Sequence, residues 1–385
     1  MKKIVSIMLL VMMVFSLAGC GSKESSEGNN DQEVKAIKIG GSGPISEVAK
    51  VYGTAVKNAM EIAIEEINSK GGLQFEANFQ DDNHNPELAR TAYYSLVDWG
   101  MQVSLGTVTT KPGEEVSPDY ANDDIFALTP SASGPKVVEA GKGNVFQMCF
   151  SDPNQGIASV NYICDNNLAS KVAIIYKNDD VYSQGIRDKF VSEASGKLEI
   201  VYEGTFNDQN ASDFSTQVKA SQSAGAELVF LPIYYDPASL ILNEANNIGY
   251  APIFFGVDGM DGILDIPGFD KSLAEGVYLL SPFSADATDD LTVNFVKKYK
   301  EKYGSEPIQF AADAYDCVYA IYQACVNGNV TPDMSASEIA KIMKDQFSSM
   351  TFNGLTGTTT WSASGEASKT PRAQVIHDGK YVGTN

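Results

Sequence analysis

Histidine is nearly missing from this 385-residue chain, which carries only His84 and His377, and cysteine is sparse at five. A serine hydrolase needs a histidine beside its nucleophile, and these two fall in a strand-exit loop and a C-terminal tail. No P-loop, G-x-S-x-G or H-E-x-x-H pattern occurs, and Gly41-Ser42-Gly43 fails as a dinucleotide fingerprint because the third glycine position is Ser46. Apart from Cys20, the cysteines are Cys149, Cys164, Cys317 and Cys325, none in CxxC or other close metal-type spacing. Cys317 and Cys325 stand roughly 12 Å apart along an apparent helix, too far to bridge each other. All four read as small buried apolar residues, with a pairing between distant positions left open. Basic residues are scarce as well, 28 against 49 acidic ones. Without Lys2 and Lys3 the balance is 26 − 49 = −23, which excludes a nucleic-acid partner and leaves no basic cluster for anionic lipid.

No apolar run reaches the roughly 20 residues that span a bilayer. The longest, Ile4 to Leu17, follows Lys2-Lys3 and precedes Leu17-Ala18-Gly19-Cys20. That is an export signal over residues 1–19, and its end matches a bacterial lipobox. The match implies that Cys20 becomes the acylated (palmitate-type) N-terminus, an anchor on the outer face of the cell membrane. Residues 20–33 then form a tether, because Gly21 to Glu33 contain no apolar side chain to offset ordering entropy. About 350 residues remain, more than one core usually organises, so two domains are expected.

From Val34, short β-rich runs alternate with helical patterns, the mark of a parallel sheet. Strands are expected at Ala36–Gly40, Gln74–Gln80, Val103–Leu105, Ile125–Leu128 and Val145–Cys149, with a helix over Tyr52–Asn68. The design restarts at Val172–Tyr176, Leu198–Phe206, Leu228–Leu231, Ile253–Phe255 and Val277–Leu279. Helices over Asp289–Tyr303, Phe310–Val326 and Ala336–Gln346 and a Gly/Thr-rich tail break the tandem. The fold class expected is α/β: two doubly wound parallel-sheet lobes joined by a multi-strand hinge that lets them close on a ligand. Lobe 1 takes residues 34–150 and 284–350, lobe 2 residues 151–283 and 351–385.

Ligands of open α/β sheets bind beyond the carboxyl ends of the strands. There the sequence places Thr109-Thr110-Lys111-Pro112 and Ser131-Ala132-Ser133-Gly134-Pro135. Two helix N-termini with hydroxyls would hold a carboxylate, although ordinary N-caps use the same residues. The second half offers Tyr182, Tyr234 and Tyr235, and Asp258, an acid suited to an ammonium; packing tyrosines and a Val257-Asp258-Gly259 turn are the plainer readings.

These loops resemble the branched-chain amino-acid-binding proteins of ABC transporters, which have the type I periplasmic-binding fold. The likeness runs through Gly43-Pro44, Tyr52-Gly53, Ile67-Asn68 with Gly71-Gly72, Asp82 with Pro86 and Ala89, Thr129 to Ser133, Tyr182 to Gly185, Asp213-Phe214-Ser215, and Ala311 to Tyr315. It implies that Thr110 (or Thr109), Ser131, Ala132 and Ser133 hold the ligand carboxylate and Asp258 the ammonium. Tyr52, Tyr182, Tyr234 and Phe310 would form the walls. It implies no catalysis, no cofactor and no metal, a monomer, and a permease as partner. Aspartate stands where close relatives often carry glutamate, and the Thr-Thr-Lys-Pro run replaces a serine-rich one, so side-chain selectivity stays open. A ligand sensor of the same fold, or a binder of an amide, nucleoside or aromatic acid, is the alternative. Asp81, Asp82 and His84 lie together as a cluster that catalysis or a metal could use, and read better as a loop opening a helix.

Overall fold

The computed structural model describes residues 35–384; the export signal, Cys20 and the tether lie outside the described residues. The first alternation folds as β1 (Ile37–Gly43), α1 (Lys50–Ser69), β2 (Phe75–Asp81), α2 (Pro86–Trp99), β3 (Val103–Thr107), α3 (Thr110–Asn122), β4 (Phe126–Thr129), α4 (Pro135–Ala140) and β5 (Val145–Gln147). The second runs α5 (Asp152–Asp165), β6 (Lys171–Lys177), α6 (Val181–Ala194), β7 (Glu199–Phe206), α7 (Ser215–Ser223), β8 (Leu228–Leu231), α8 (Tyr235–Asn247), β9 (Ile253–Gly256) and β10 (Tyr278–Ser281). Then come α9 (Asp290–Tyr303), α10 (Gln309–Asn327), α11 (Ala336–Phe347), β11 (Phe352–Gly354), β12 (Gly357–Thr359), β13 (Arg372–His377) and β14 (Lys380–Gly383).

The sheets have one winding. The first is ordered β2-β1-β3-β4-β5 and the second β7-β6-β8-β9-β10, extended by β13 and β14. Strands β1 to β5 pair in parallel, with Ile39 beside Val103 and Val103 beside Phe126, as do Val172 and Leu228 in the second sheet. Central strands β3, β4 and β8 are buried at every position, as continuous apolar runs covered on both faces require. Edge strands β2 and β7 carry polar residues on the uncovered side. In each sheet the order reverses beside the first strand, and this opens a crevice at the carboxyl ends.

Helix α10 is buried at nearly every residue from Gln309 to Cys325, because it lies between α1, α11 and the first sheet. Helix α1 meets it with the stripe Val56, Ala59, Met60, Ala63, Ile64 and Ile67. The chain passes between the sheets three times, after β5, after β10 and after β12. The tail departs from the expectation that all of it completes the second lobe. Strands β13 and β14 do join the second sheet, with Leu279 of β10 antiparallel to Gln374. The stretch before them stays with the first: the Trp361 indole donates to the Gln147 carbonyl at 2.7 Å and packs on Phe347, and the Gly365 carbonyl accepts from the Gln147 N–H. Strand β5 is the edge of its sheet, and this segment pairs and covers it.

Cys149, Cys317 and Cys325 are buried free thiols; Cys164, expected to be buried, is only partly so, near the C-terminal end of α5. Among the described residues no helix is long and apolar enough to cross a membrane.

Candidate ligand-binding cleft

Every proposed contact residue except Phe310 sits at the carboxyl end of a strand or on the helix that follows it. Tyr52 follows β1, Thr109 and Thr110 follow β3, and Ser131, Ala132 and Ser133 follow β4. Tyr182 follows β6, Tyr234 follows β8 and Asp258 follows β9, while Phe310 opens α10. Tyr52 is seated by Gly53, where a Cβ would lie 2.0 Å from the Pro44 carbonyl oxygen, so only glycine lets α1 approach the β1 exit.

The hydroxyls are not ordinary caps. Thr109 is the N-cap of α3, yet its side chain makes no capping bond and instead shares a 3.0 Å hydrogen bond with His84 Nδ1. The Thr110 hydroxyl accepts from the Ser133 N–H at 3.2 Å and lies 3.4 Å from Ser133 Oγ, while Ser131 Oγ donates to the Val108 carbonyl at 2.6 Å. The two loops are thus stitched into one polar shelf. Helix α4, at six residues, adds little aligned dipole, so the favourable field for an anion comes mainly from α3.

Opposite the shelf, Tyr182 donates to Asp258 Oδ1 at 2.5 Å and the Gly259 N–H to the same oxygen at 2.7 Å; the Asp258 N–H is held by Gln155. The first lobe grips this turn: the Tyr52 hydroxyl donates to the Gly259 carbonyl at 2.5 Å, and the Gln309 carboxamide donates to the Asp258 carbonyl. Tyr52 stacks on Phe310 with centroids 4.2 Å apart, and Tyr182 on Tyr234 at 4.8 Å. Ring contacts and hydrogen bonds join Tyr52, Tyr182, Tyr234, Asp258 and Phe310, and His84 links Tyr234 to Thr109, while Ala132 packs into the core with Val137; Asp258 is only 3% exposed.

Charge there is one-sided. Asp152, buried beside Ser133, has an Oδ1 with no hydrogen-bond partner, and burial pushes its carboxyl well up. Burial also pushes Asp258 up to about 6, against the hydrogen bonds from Tyr182, Gln155 and Gly259 that pull it down. A carboxyl whose folded value is raised favours folding below its unfolded value, near 3.8, and that contribution is lost as pH climbs through about 6. The melting temperature of Asp258→Asn, measured against the parent without ligand, is therefore expected to gain between about pH 4 and about pH 7, by a few degrees for about 2 kcal/mol. A difference that stays flat across that range refutes the burial argument.

The acid-histidine cluster is dismantled. Asp82 is buried and accepts from Ser42 and the His84 N–H, Asp81 accepts from Ile45, Ser46 and Asn83, and His84 turns to Thr109. Burial, with Lys177 and Lys111 nearby, pushes the His84 imidazole down to about 4 and keeps it neutral. Sequence reasoning left His84 in a helix-opening loop and did not single out Asp152, Gln155 or Gln309. Asp152-Pro153 reads as a helix start, and only the crossing after β5 turns it into the cleft.

Comparison with known proteins agrees with this fold. The family model of the periplasmic binding proteins matches residues 36–378. A Leu/Ile/Val-binding protein homolog of Brucella melitensis is 27% identical over 354 residues, 90% of this chain and 93% of that protein. The substrate-binding protein LivJ of the Streptococcus pneumoniae branched-chain amino acid transporter, solved with isoleucine, superposes with a TM-score of 0.82 at 27% identity, covering 90% of this chain and 98% of that one. A solute-binding protein from R. palustris solved with benzoate shares the fold, with a TM-score of 0.78 at 20% identity over 91% and 96% of the chains. This chain belongs to the periplasmic binding protein family, as a solute-binding protein that acts outside the cytoplasm and not as an enzyme.

Proposed function

We propose that the chain is the lipid-anchored binding component of an ABC importer and that it captures an α-amino acid, branched-chain or related, between its lobes. What supports this is a hydroxyl shelf at the α3 N-terminus in the first half and the buried carboxylate Asp258 in the second, with Asp152 bonded to Ser133 and close enough to Asp258 to feel its charge. The shelf takes an anion and Asp258 a cation, so an α-carboxylate and an α-ammonium on one carbon satisfy both at once. A carboxylate without an amine would leave Asp258 buried and unpaired. The relatives named for leucine, isoleucine and valine support the reading.

In this shape the lobes touch through Tyr52 and Gly259, so entry of ligand requires the hinge to open and capture re-forms that contact. The closed outline is what a permease would recognise, and Cys20 would keep the protein beside it.

Thermal melting against the twenty amino acids, a few amides, nucleosides and aromatic acids tests the proposal, since a ligand that binds only the folded state raises the midpoint. A selective rise with amino acids is expected. A rise only with an acid that lacks an amine removes Asp258 from its role. The anchor is tested separately: Cys20→Ser is expected to release the protein from the membrane fraction, and unchanged retention refutes it.

A further inference from the structure

A cavity of about 410 Å³ opens directly behind the proposed amino-acid anchor. Tyr234 and His84 are shared between the two spaces, and their rings meet edge to face at 5.5 Å. His84 comes from the loop after β2 and Tyr234 from the exit of β8, so this ring pair divides the cavity from the anchor, and it is here that a ligand side chain would pass. Beyond this gate the walls are apolar, made by Phe206, Ile233 and Leu240.

The polar end of the cavity is not neutral. Four acids, Glu47, Asp180, Asp208 and Asp236, line it against one base, Lys177. Lys177 is already spoken for, 2.6 Å from Asp208 and 3.7 Å from Asp179, and His84 is held neutral. Burial pushes the Asp180 carboxyl up to about 6, against the pull of Lys177 and Lys111, which favour its charged form. Nevertheless Asp180, only 3% exposed, keeps Oδ1 without a hydrogen-bond partner. A buried acceptor without a partner, on a residue that lines this cavity, is costly unless something donates to it.

Resting on the amino-acid reading of the cleft, we propose that this cavity is a distal subsite of the same ligand, which is an α-amino acid with a long aliphatic side chain ending in an ammonium or guanidinium. The α-carbon groups are held by the shelf and Asp258, the methylenes lie along Phe206 and Ile233, and the cationic tip donates to Asp180. Leucine or alanine fills the anchor and leaves the cavity to water.

Isothermal titration with alanine, leucine, lysine and arginine tests this on the protein and two variants. Asp180→Asn removes the charge that meets the tip, and because Asp180 precedes α6, Leu240→Trp serves as a second variant: its 41% exposed side chain sits at the rim and fills the cavity without touching a helix start. Lysine or arginine is expected to bind at least tenfold tighter than leucine, with both variants erasing that margin and leaving alanine affinity unchanged. Leucine binding as tightly as lysine, or lysine affinity untouched by both variants, overturns the distal subsite while leaving the amino-acid anchor intact. Binding of none of the four overturns both.

Discussion

Asp258→Ala is expected to weaken amino-acid binding by about 2–5 kcal/mol, a loss of roughly thirtyfold to several thousandfold. The size follows from where the carboxylate sits. It is 3% exposed, its Oδ1 is occupied by Tyr182 and Gly259, and Gln155 holds its backbone. An ammonium that enters this turn is stripped of water, and with alanine in place nothing repays that cost. The truncation also frees the Tyr182 hydroxyl, so Tyr182→Phe is the control: it keeps the charge and is expected to lose about 1 kcal/mol. Titration of the three proteins decides the matter, and an Asp258→Ala affinity within twofold of the parent removes this residue from the site. Affinity in the parent should also fall as pH drops below about 6, since the ligand-free carboxyl is then protonated and an ammonium must displace the proton.

The second large effect belongs to the hinge side. Lys369 is buried with 2% of its side chain exposed, 3.0 Å from Asp313, and it also donates to Thr356. Asp316 beside it accepts from the Leu355 N–H, the Thr356 N–H and the Thr356 hydroxyl at 2.5–2.8 Å. One ammonium thus serves two carboxyls under the segment that covers β5. Lys369→Met should cost about 3–5 kcal/mol of folding stability, the range for leaving one side of a buried pair without its partner. Burial holds Asp313 near 6 despite the pull of Lys369, and removing that pull raises it further. The variant's Asp313 then takes up a proton in the folded state, so the loss should shrink as pH falls toward about 5 and grow toward about 8. Urea unfolding at those two values checks it, and the double variant Lys369→Met, Asp313→Asn should recover part of the loss. A Lys369→Met midpoint equal to the parent would mean that the cluster carries no net stability.

How much of this was legible in the sequence differs by level. Strand and helix order could be read because each element states its own burial: LVFL at β8 is apolar throughout, while EIVYEGTF at β7 breaks its apolar run with glutamates. The repeat was readable for the same reason, and the shared strand order β2-β1-β3-β4-β5 and β7-β6-β8-β9-β10 is its result. The site loops were visible as hydroxyl runs ahead of prolines, but local pattern left them indistinguishable from caps. The unused cap at Thr109 resolves that, and it depends on His84 arriving from another loop.

Sequence alone determined which residues stand at strand exits, because a parallel strand has one carboxyl end and the chain must leave there. It also determined the charge sign and the amphipathic faces, which are sums over neighbours along the chain. Tertiary structure decided everything that requires two distant segments to meet. Examples are the division of the tail between sheets, the Lys369 bridge to Asp313 at 56 residues' separation, and the contact of Tyr52 with Gly259 at 207. Local propensity carries no record of such pairs, since what a buried polar group needs is a partner in space, and chain spacing does not say which one arrives.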